Sequence, residues 1–195
     1  IDNGHVRTFP RSKHLAAHRV EVRLGDRLRV GVHEAVIYGD RRPEFIYLIP
    51  LTLLTAAQSY LGDTDNVLLG FDVSARLAPG LRAWTALLFD DLKKFSPGSF
   101  ANKIGFQIGF LWVDPLGLRD TDLTAEYVRL DPYLYSHNFT INTFEHFDSL
   151  LGYGLGPNAD RIVARLGHRF TEHVSAHIQI EREREGENVL NPDGT

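Results

Sequence analysis

The sequence predicts an all-β fold: an antiparallel, up-and-down transmembrane β-barrel, of which this chain supplies a fragment with about eight strands in four hairpins. Three observations predict it. Segments of about eleven residues alternate apolar and polar at every step, the period of a strand whose successive side chains point to opposite faces. The connections run short, long, short, long, as in barrels with short periplasmic turns and long outer loops. No stretch approaches the roughly 18 to 20 consecutive apolar residues of a transmembrane helix, so a membrane would be crossed by strands.

The first strand runs from about His14 to Leu24, with His18, Val20, Val22 and Leu24 on one face and Arg19, Glu21 and Arg23 on the other. Gly25-Asp26 makes a tight turn. The second strand reaches about Tyr38, with Leu28, Val30, Val32 and Val36 opposed by Arg27, Arg29, Gly31 and His33. Glu34 interrupts its apolar row, which marks either a bulge or the membrane rim. A long connection, residues 39–66, holds Pro43, Pro50 and a stretch from Ile49 to Ala57 able to form a short helix. Loops of this length are uncommon in compact domains and are usually functional or plugging.

Strands three and four, about Val67–Leu77 and Leu81–Asp91, are joined by Ala78-Pro79-Gly80. An intermediate loop from Leu92 to Asn102 leads to strand five, whose row is Ile104, Phe106, Ile108, Phe110 and Trp112. A wider turn at 114–117 precedes strand six, about Thr121–Asp131. The second long connection, residues 132–159, is rich in aromatics, His, Asn and Gly. Strands seven and eight read Ile162-Ala164-Leu166-His168-Phe170 and Val174-Ala176-Ile178-Ile180.

A hydrophobic fraction of 43% is ordinary for a soluble protein, but half of each barrel strand faces water and dilutes the apolar signal. The competing fold is a soluble lipid-binding barrel with the apolar row turned inward. Strand length favours the membrane form, since a tilted membrane strand needs about 9–11 residues against the usual 5 or 6. Dense mixed charge on the polar face and aromatics near strand ends (Tyr38, Phe89, Trp112, Phe170) point the same way. A net charge of -4 with no separate basic run argues against nucleic acid. The chain has no cysteine, which excludes disulfides and thiolate metal sites. It has no methionine either, and its polar tail lacks a terminal aromatic residue, so the expectation is a single partial barrel domain over residues 1–195, cut from a longer precursor. An unclosed barrel exposes two strand edges and is expected to aggregate outside a membrane.

Three stretches, HEAVIYGDRRPEFIYLIPLTLL, NVLLGFDVSARLAPGLRAWTALLFDD and YGLGPNADRIVARLGHRF, resemble the capsule-assembly Wzi family of outer-membrane proteins, in an order that fits. The similarity runs from about His14 to Gln179; the GPNAD turn and the paired acids after strand four are its more specific parts. The resemblance implies a large barrel, of which this would be roughly the second half, in the bacterial outer membrane. It also implies a surface lectin that anchors capsular or extracellular polysaccharide, without catalytic residues. The alternative function is an outer-membrane porin or polysaccharide-export channel, in which a charged lumen selects a solute.

Carbohydrate sites pair flat aromatics, which cover the apolar faces of sugar rings, with polar groups that fix the hydroxyls. The second long loop offers Tyr133, Tyr135, His137, Asn138, Asn142, His146 and Asp148, and Asp90 and Asp91 stand at the outward end of strand four. Tyr133 and Tyr135 could equally be interfacial anchors, and the two acids a solvated strand end. Adjacent strand residues point to opposite faces, so Asp90 and Asp91 cannot form the facing carboxylate pair of a glycoside hydrolase. Arg19, Arg23, Arg29, Arg161 and Arg165 give the lumen a positive component, either a path for an acidic polymer or partners for nearby Glu and Asp. His14 and His18 lie on a strand rather than one helix face, and no acidic calcium loop is present, so no metal is expected. Tyr153-Gly154-Leu155-Gly156 lacks the Lys-Ser/Thr ending of a phosphate loop. The expected partners are polysaccharide and outer-membrane lipid, with no cofactor and a monomeric barrel favoured.

Overall fold

The computed structural model describes residues 11–50, 52–62, 64–90, 103–147 and 149–187. Its strands are β1 (Lys13–Leu24), β2 (Leu28–Gly39), β3 (Asn66–Ala78), β4 (Leu81–Asp90), β5 (Lys103–Val113), β6 (Thr121–Leu130), β7 (Glu145–His146), β8 (Ser149–Leu150), β9 (Ala159–Arg169) and β10 (Ser175–Glu185). Eight of them form one sheet in the order β1-β2-β3-β4-β5-β6-β9-β10, every pair antiparallel and each next to its sequence neighbour. The short β7-β8 hairpin lies within the second long connection and was not foreseen; two-residue strands carry no readable period.

Turn chemistry sets the hairpins. Gly25 (φ +62°) and Gly80 (φ +74°) take the left-handed backbone that closes β1-β2 and β3-β4, at no Cβ cost. The β3-β4 pairing slips between Arg76 and Ala78, a bulge beside the Pro79-Gly80 corner.

Opposite faces of the sheet differ as the alternation requires. One carries Val20, Val22, Phe71, Leu77, Ile108, Ile162, Ile178 and Ile180, all exposed, the apolar band expected against lipid. The other carries Arg19, Arg23, Arg29, Asp72, Glu126, Arg161 and Arg165, and a set of glycines that make room for such side chains. A Cβ at Gly31 would lie 2.5 Å from both Arg19 Nη2 and Asp72 Oδ2, and one at Gly109 would lie 2.5 Å from the Trp84 ring. Large polar and aromatic side chains therefore lie flat across neighbouring strands, over positions that have no side chain of their own.

The long connections cover opposite faces. The first holds a 3-10 turn (Phe45–Leu48) and helix α1 (Leu54–Leu61), which set Tyr47, Leu54 and Ala57 on Ala16, Val36 and Tyr38 of the apolar face. The second sets Leu134, Tyr135 and Leu155 on Leu68, Val128, Leu130 and Ala159 of the polar face. The helix expected between Ile49 and Ala57 lies further on, at Leu54–Leu61, ended by Gly62 in the left-handed conformation. The strand expected from Ile162 is β9 and starts earlier, at Ala159, and β10 continues past Ile180 to Glu185. Glu34 does not mark a bulge: its pairing is unbroken with His18 on one side and Leu69 on the other. The expected loop 92–102 lies outside the described residues.

Candidate functional site

The long-loop end of the sheet is assembled by a few buried polar contacts. Asp90 ends β4 on the polar face, opposite Lys103 of β5, and is completely buried. Its Oδ2 accepts from the Tyr135 backbone N–H at 2.7 Å and lies 3.9 Å from Lys103 Nζ. Lys103 Nζ in turn donates to the Ser136 carbonyl at 2.8 Å. A carboxylate with no exposure cannot reach a sugar, so Asp90 supports the second loop from below.

Tyr135 belongs to the same support. It is buried, stacks on Phe144 at 5.6 Å between ring centroids, and its hydroxyl accepts from the Tyr153 N–H at 3.1 Å. Burial raises its pKa above the ordinary tyrosine value. Tyr153 reaches down to the polar face, where its hydroxyl donates to Glu126 Oε1 at 2.9 Å. Burial first, and then that bond, raise the Tyr153 pKa as well. Glu126 also accepts from Gln107 Nε2 at 2.8 Å and Trp84 Nε1 at 3.3 Å, so one carboxylate ties the loop to three strands.

The two long loops are stitched together. Asn142 donates from Nδ2 to the Thr64 carbonyl at 2.9 Å, and Asn66 donates to the Asn142 carbonyl at 3.0 Å. Lys13 donates to the Thr143 carbonyl at 2.6 Å. In the first loop the buried Asp65 takes the Tyr47 hydroxyl at 2.5 Å and the Arg41 guanidinium. Asn66, Asp65 and Glu126 were not singled out from sequence. Each is one polar residue without a motif, and only the folded loops reveal its partner.

With these supports in place, the outer surface of the second loop presents other residues. Asn138 and Phe139 are exposed, and the half-buried His137 lies against Phe139 at 5.7 Å with its Nδ1 accepting the Phe139 N–H. His146 and Phe147 pair at 4.3 Å on the β7-β8 hairpin, and Phe147 is 89% exposed. Tyr133 is half-buried in a left-handed backbone conformation, its carbonyl accepting the Ser136 N–H. Asp91 and Asp148 lie outside the described residues. The surface thus offers two aromatic pairs with an amide nearby, the kind of ingredients that hold a sugar ring.

Among the expected lumen arginines, Arg19 grips Asp72 with two bonds of 2.6 and 2.9 Å across β2, and Arg161 meets Glu181 at 2.6 Å. Arg23 approaches Glu21 at 3.6 Å. Arg29 borders a hollow at the short-turn end, and Arg165 a second hollow with Asp122 and His177. Among the described residues no group of three or more His, Cys, Asp or Glu side chains could hold a metal ion.

The protein-family model described as "Capsule assembly protein Wzi" matches residues 3–193, nearly the whole chain. Neither a curated protein nor a solved structure matches it.

Proposed function

The chain belongs to the capsule assembly Wzi family of outer-membrane β-barrel proteins, and from that premise we propose that it retains capsular or extracellular polysaccharide at the cell surface by non-covalent binding, without turnover. The observation that carries this reading is the outer surface of the second loop. It sets the aromatic pairs His137-Phe139 and His146-Phe147, with Asn138, on a platform fixed from beneath by Asp90, Tyr135 and Tyr153. Tyr133 belongs to the same loop and completes the proposed surface. Contacts of this kind are individually weak, but a repeating polymer engages many copies at once, so retention does not need a tight single site.

The alternative is a transport barrel. It draws on the charged polar face, but the second loop lies across that face at its outer end and spends Glu126 on Tyr153. A path occupied by folded protein favours the anchor.

The test is the ratio of cell-bound to released polysaccharide after deleting the gene that encodes this chain. Polymer that is still made but shed into the medium supports the anchor. Unchanged retention defeats it, and single-channel conductance of the purified barrel then decides for or against transport.

A further inference from the structure

Two arginines of the polar face are held in ion pairs, whereas one end of the face gathers arginines against one another. Arg19, in mid-strand, is neutralised by Asp72, and Arg161, near the long-loop end, by Glu181. At the short-turn end, beside Gly25 and Gly80, arginine faces arginine. Arg23 of β1 is registered with Arg29 of β2, and Arg76 of β3 with Arg82 of β4. Arg29 is in turn registered with Ser74, and Arg27 joins from the turn, where its carbonyl accepts the Arg76 N–H. These side chains line a hollow of about 380 Å³.

Like charges directly opposite each other on neighbouring strands are destabilising. The hollow does little to relieve them from within. Arg23 has the Glu21 carboxylate at 3.6 Å, and Arg82 donates to Ser74 Oγ at 3.0 Å. Among the described residues Arg27, Arg29, Arg76 and Arg82 have no carboxylate within ion-pair distance. Among the described residues Asp26 is the one acid that lines the hollow. Guanidinium groups keep their charge at any physiological pH, so the repulsion cannot be removed by deprotonation.

We propose that this hollow is an anion-binding site, and that its ligand is a carboxylate or phosphate group carried on an acidic polysaccharide. Planar guanidinium forks match both anions in bidentate geometry. Five of them from four strands and a turn suit a polymer with repeated charge better than one small ion. The site opens on the polar face, away from the exposed apolar band, which separates it from lipid headgroups held along the outer wall. It also lies at the end of the sheet opposite the long loops, so it is a second contact point for polymer, distinct from the aromatic surface. The identity of the ligand rests on the polysaccharide reading above; the anion site itself rests on the arginines.

The experiment uses the full-length parent protein in detergent. Binding of a fluorescent polyuronate oligosaccharide, a neutral dextran oligosaccharide of equal length, and inorganic phosphate is measured in the unaltered protein, in Arg29→Gln/Arg76→Gln and in Arg29→Lys/Arg76→Lys. The expected result is polyuronate binding that weakens with salt, falls about tenfold in the Gln variant and by a smaller factor in the Lys variant, which keeps the charge but loses the bidentate fork, with dextran unaffected by either change. Polyuronate binding equal in all three proteins, or none in the unaltered protein, overturns the proposal. Binding of phosphate alone overturns the polymer and keeps only a small-ion site. Heat-modifiable gel migration confirms that each variant is a folded barrel. A failure of the surface-anchor reading has a different appearance: retention survives gene deletion while arginine-dependent polyuronate binding persists.

Discussion

Glu34, on the apolar face of β2, accepts the backbone N–H of Leu54 at 2.8 Å and so caps helix α1 from a neighbouring strand. Its second oxygen takes the Thr55 hydroxyl at 3.0 Å. The helix has no side-chain cap of its own, since Leu53 stands at the capping position. A carboxylate at a helix N-terminus satisfies an otherwise orphaned donor and meets the positive end of the dipole. The same contact explains how a charged residue stands on a face otherwise made for lipid. The loop covers it.

Glu34→Ala is therefore expected to loosen the first loop without disturbing the sheet, at a cost of about 1 kcal/mol, the usual worth of a lost N-cap. Amide hydrogen exchange of Leu54–Ala57 should accelerate roughly fivefold while β2 and β3 keep their protection. Equal acceleration in β2 would mean that Glu34 supports the strand itself.

The Tyr47 hydroxyl gives the same loop a pH limit. Burial, and then the bond to Asp65, raise its pKa above the ordinary 10.0. A docked loop thus keeps a proton that an undocked one releases. The stabilisation is complete below about pH 10 and is lost as pH rises through the raised value. Proteolytic accessibility of the loop should climb above about pH 10 in the unaltered protein. In Tyr47→Phe the loop should be more accessible at neutral pH and less sensitive to alkali. An identical alkaline profile in both would remove Tyr47 from the account.

Glycines on the polar face act through space. A methyl group at Gly109 would meet Trp84, whose indole N–H is engaged by Glu126. Gly109→Ala should destabilise the barrel by about 1–3 kcal/mol through overpacking. Pairing it with Trp84→Leu, which withdraws the obstructing ring, should recover part of that loss in a double-mutant cycle. Strict additivity of the two changes would show that the ring does not need the vacant position.

What the sequence disclosed and what it hid follow from the range of the interactions. The rows from Val67 to Leu77 and from Ile104 to Trp112 are strands because a two-residue period is written locally, and both strands lie where that period puts them. The asymmetric loop lengths similarly order the hairpins. Glu34 could be seen to be out of place but not explained, because its partner is 20 residues away in a loop. Asp90 reads from sequence as a sugar contact or a solvated strand end, because its burial depends on Tyr135, 45 residues later. The arginine hollow was visible only as scattered polar-face charges, since which arginines face one another is decided by register. Resemblance to the Wzi family was carried by loop and turn segments such as YGLGPNAD, and the family match extends it across nearly the whole chain.

The division between support and contact in the second loop yields the most direct test of the surface reading. Asp90→Asn keeps the shape but removes the charge that holds Lys103 and the Tyr135 N–H, so the loop should loosen and polysaccharide retention should fall with it. Phe147→Ala and Asn138→Ala lie on the exposed side, where substitutions rarely cost more than about 0.5 kcal/mol of stability. They should lower retention while leaving protease protection of the loop unchanged. If retention falls only in Asp90→Asn and never in the exposed variants, the loop matters as a plug rather than as a binding surface. The polymer contact must then be sought elsewhere on the barrel.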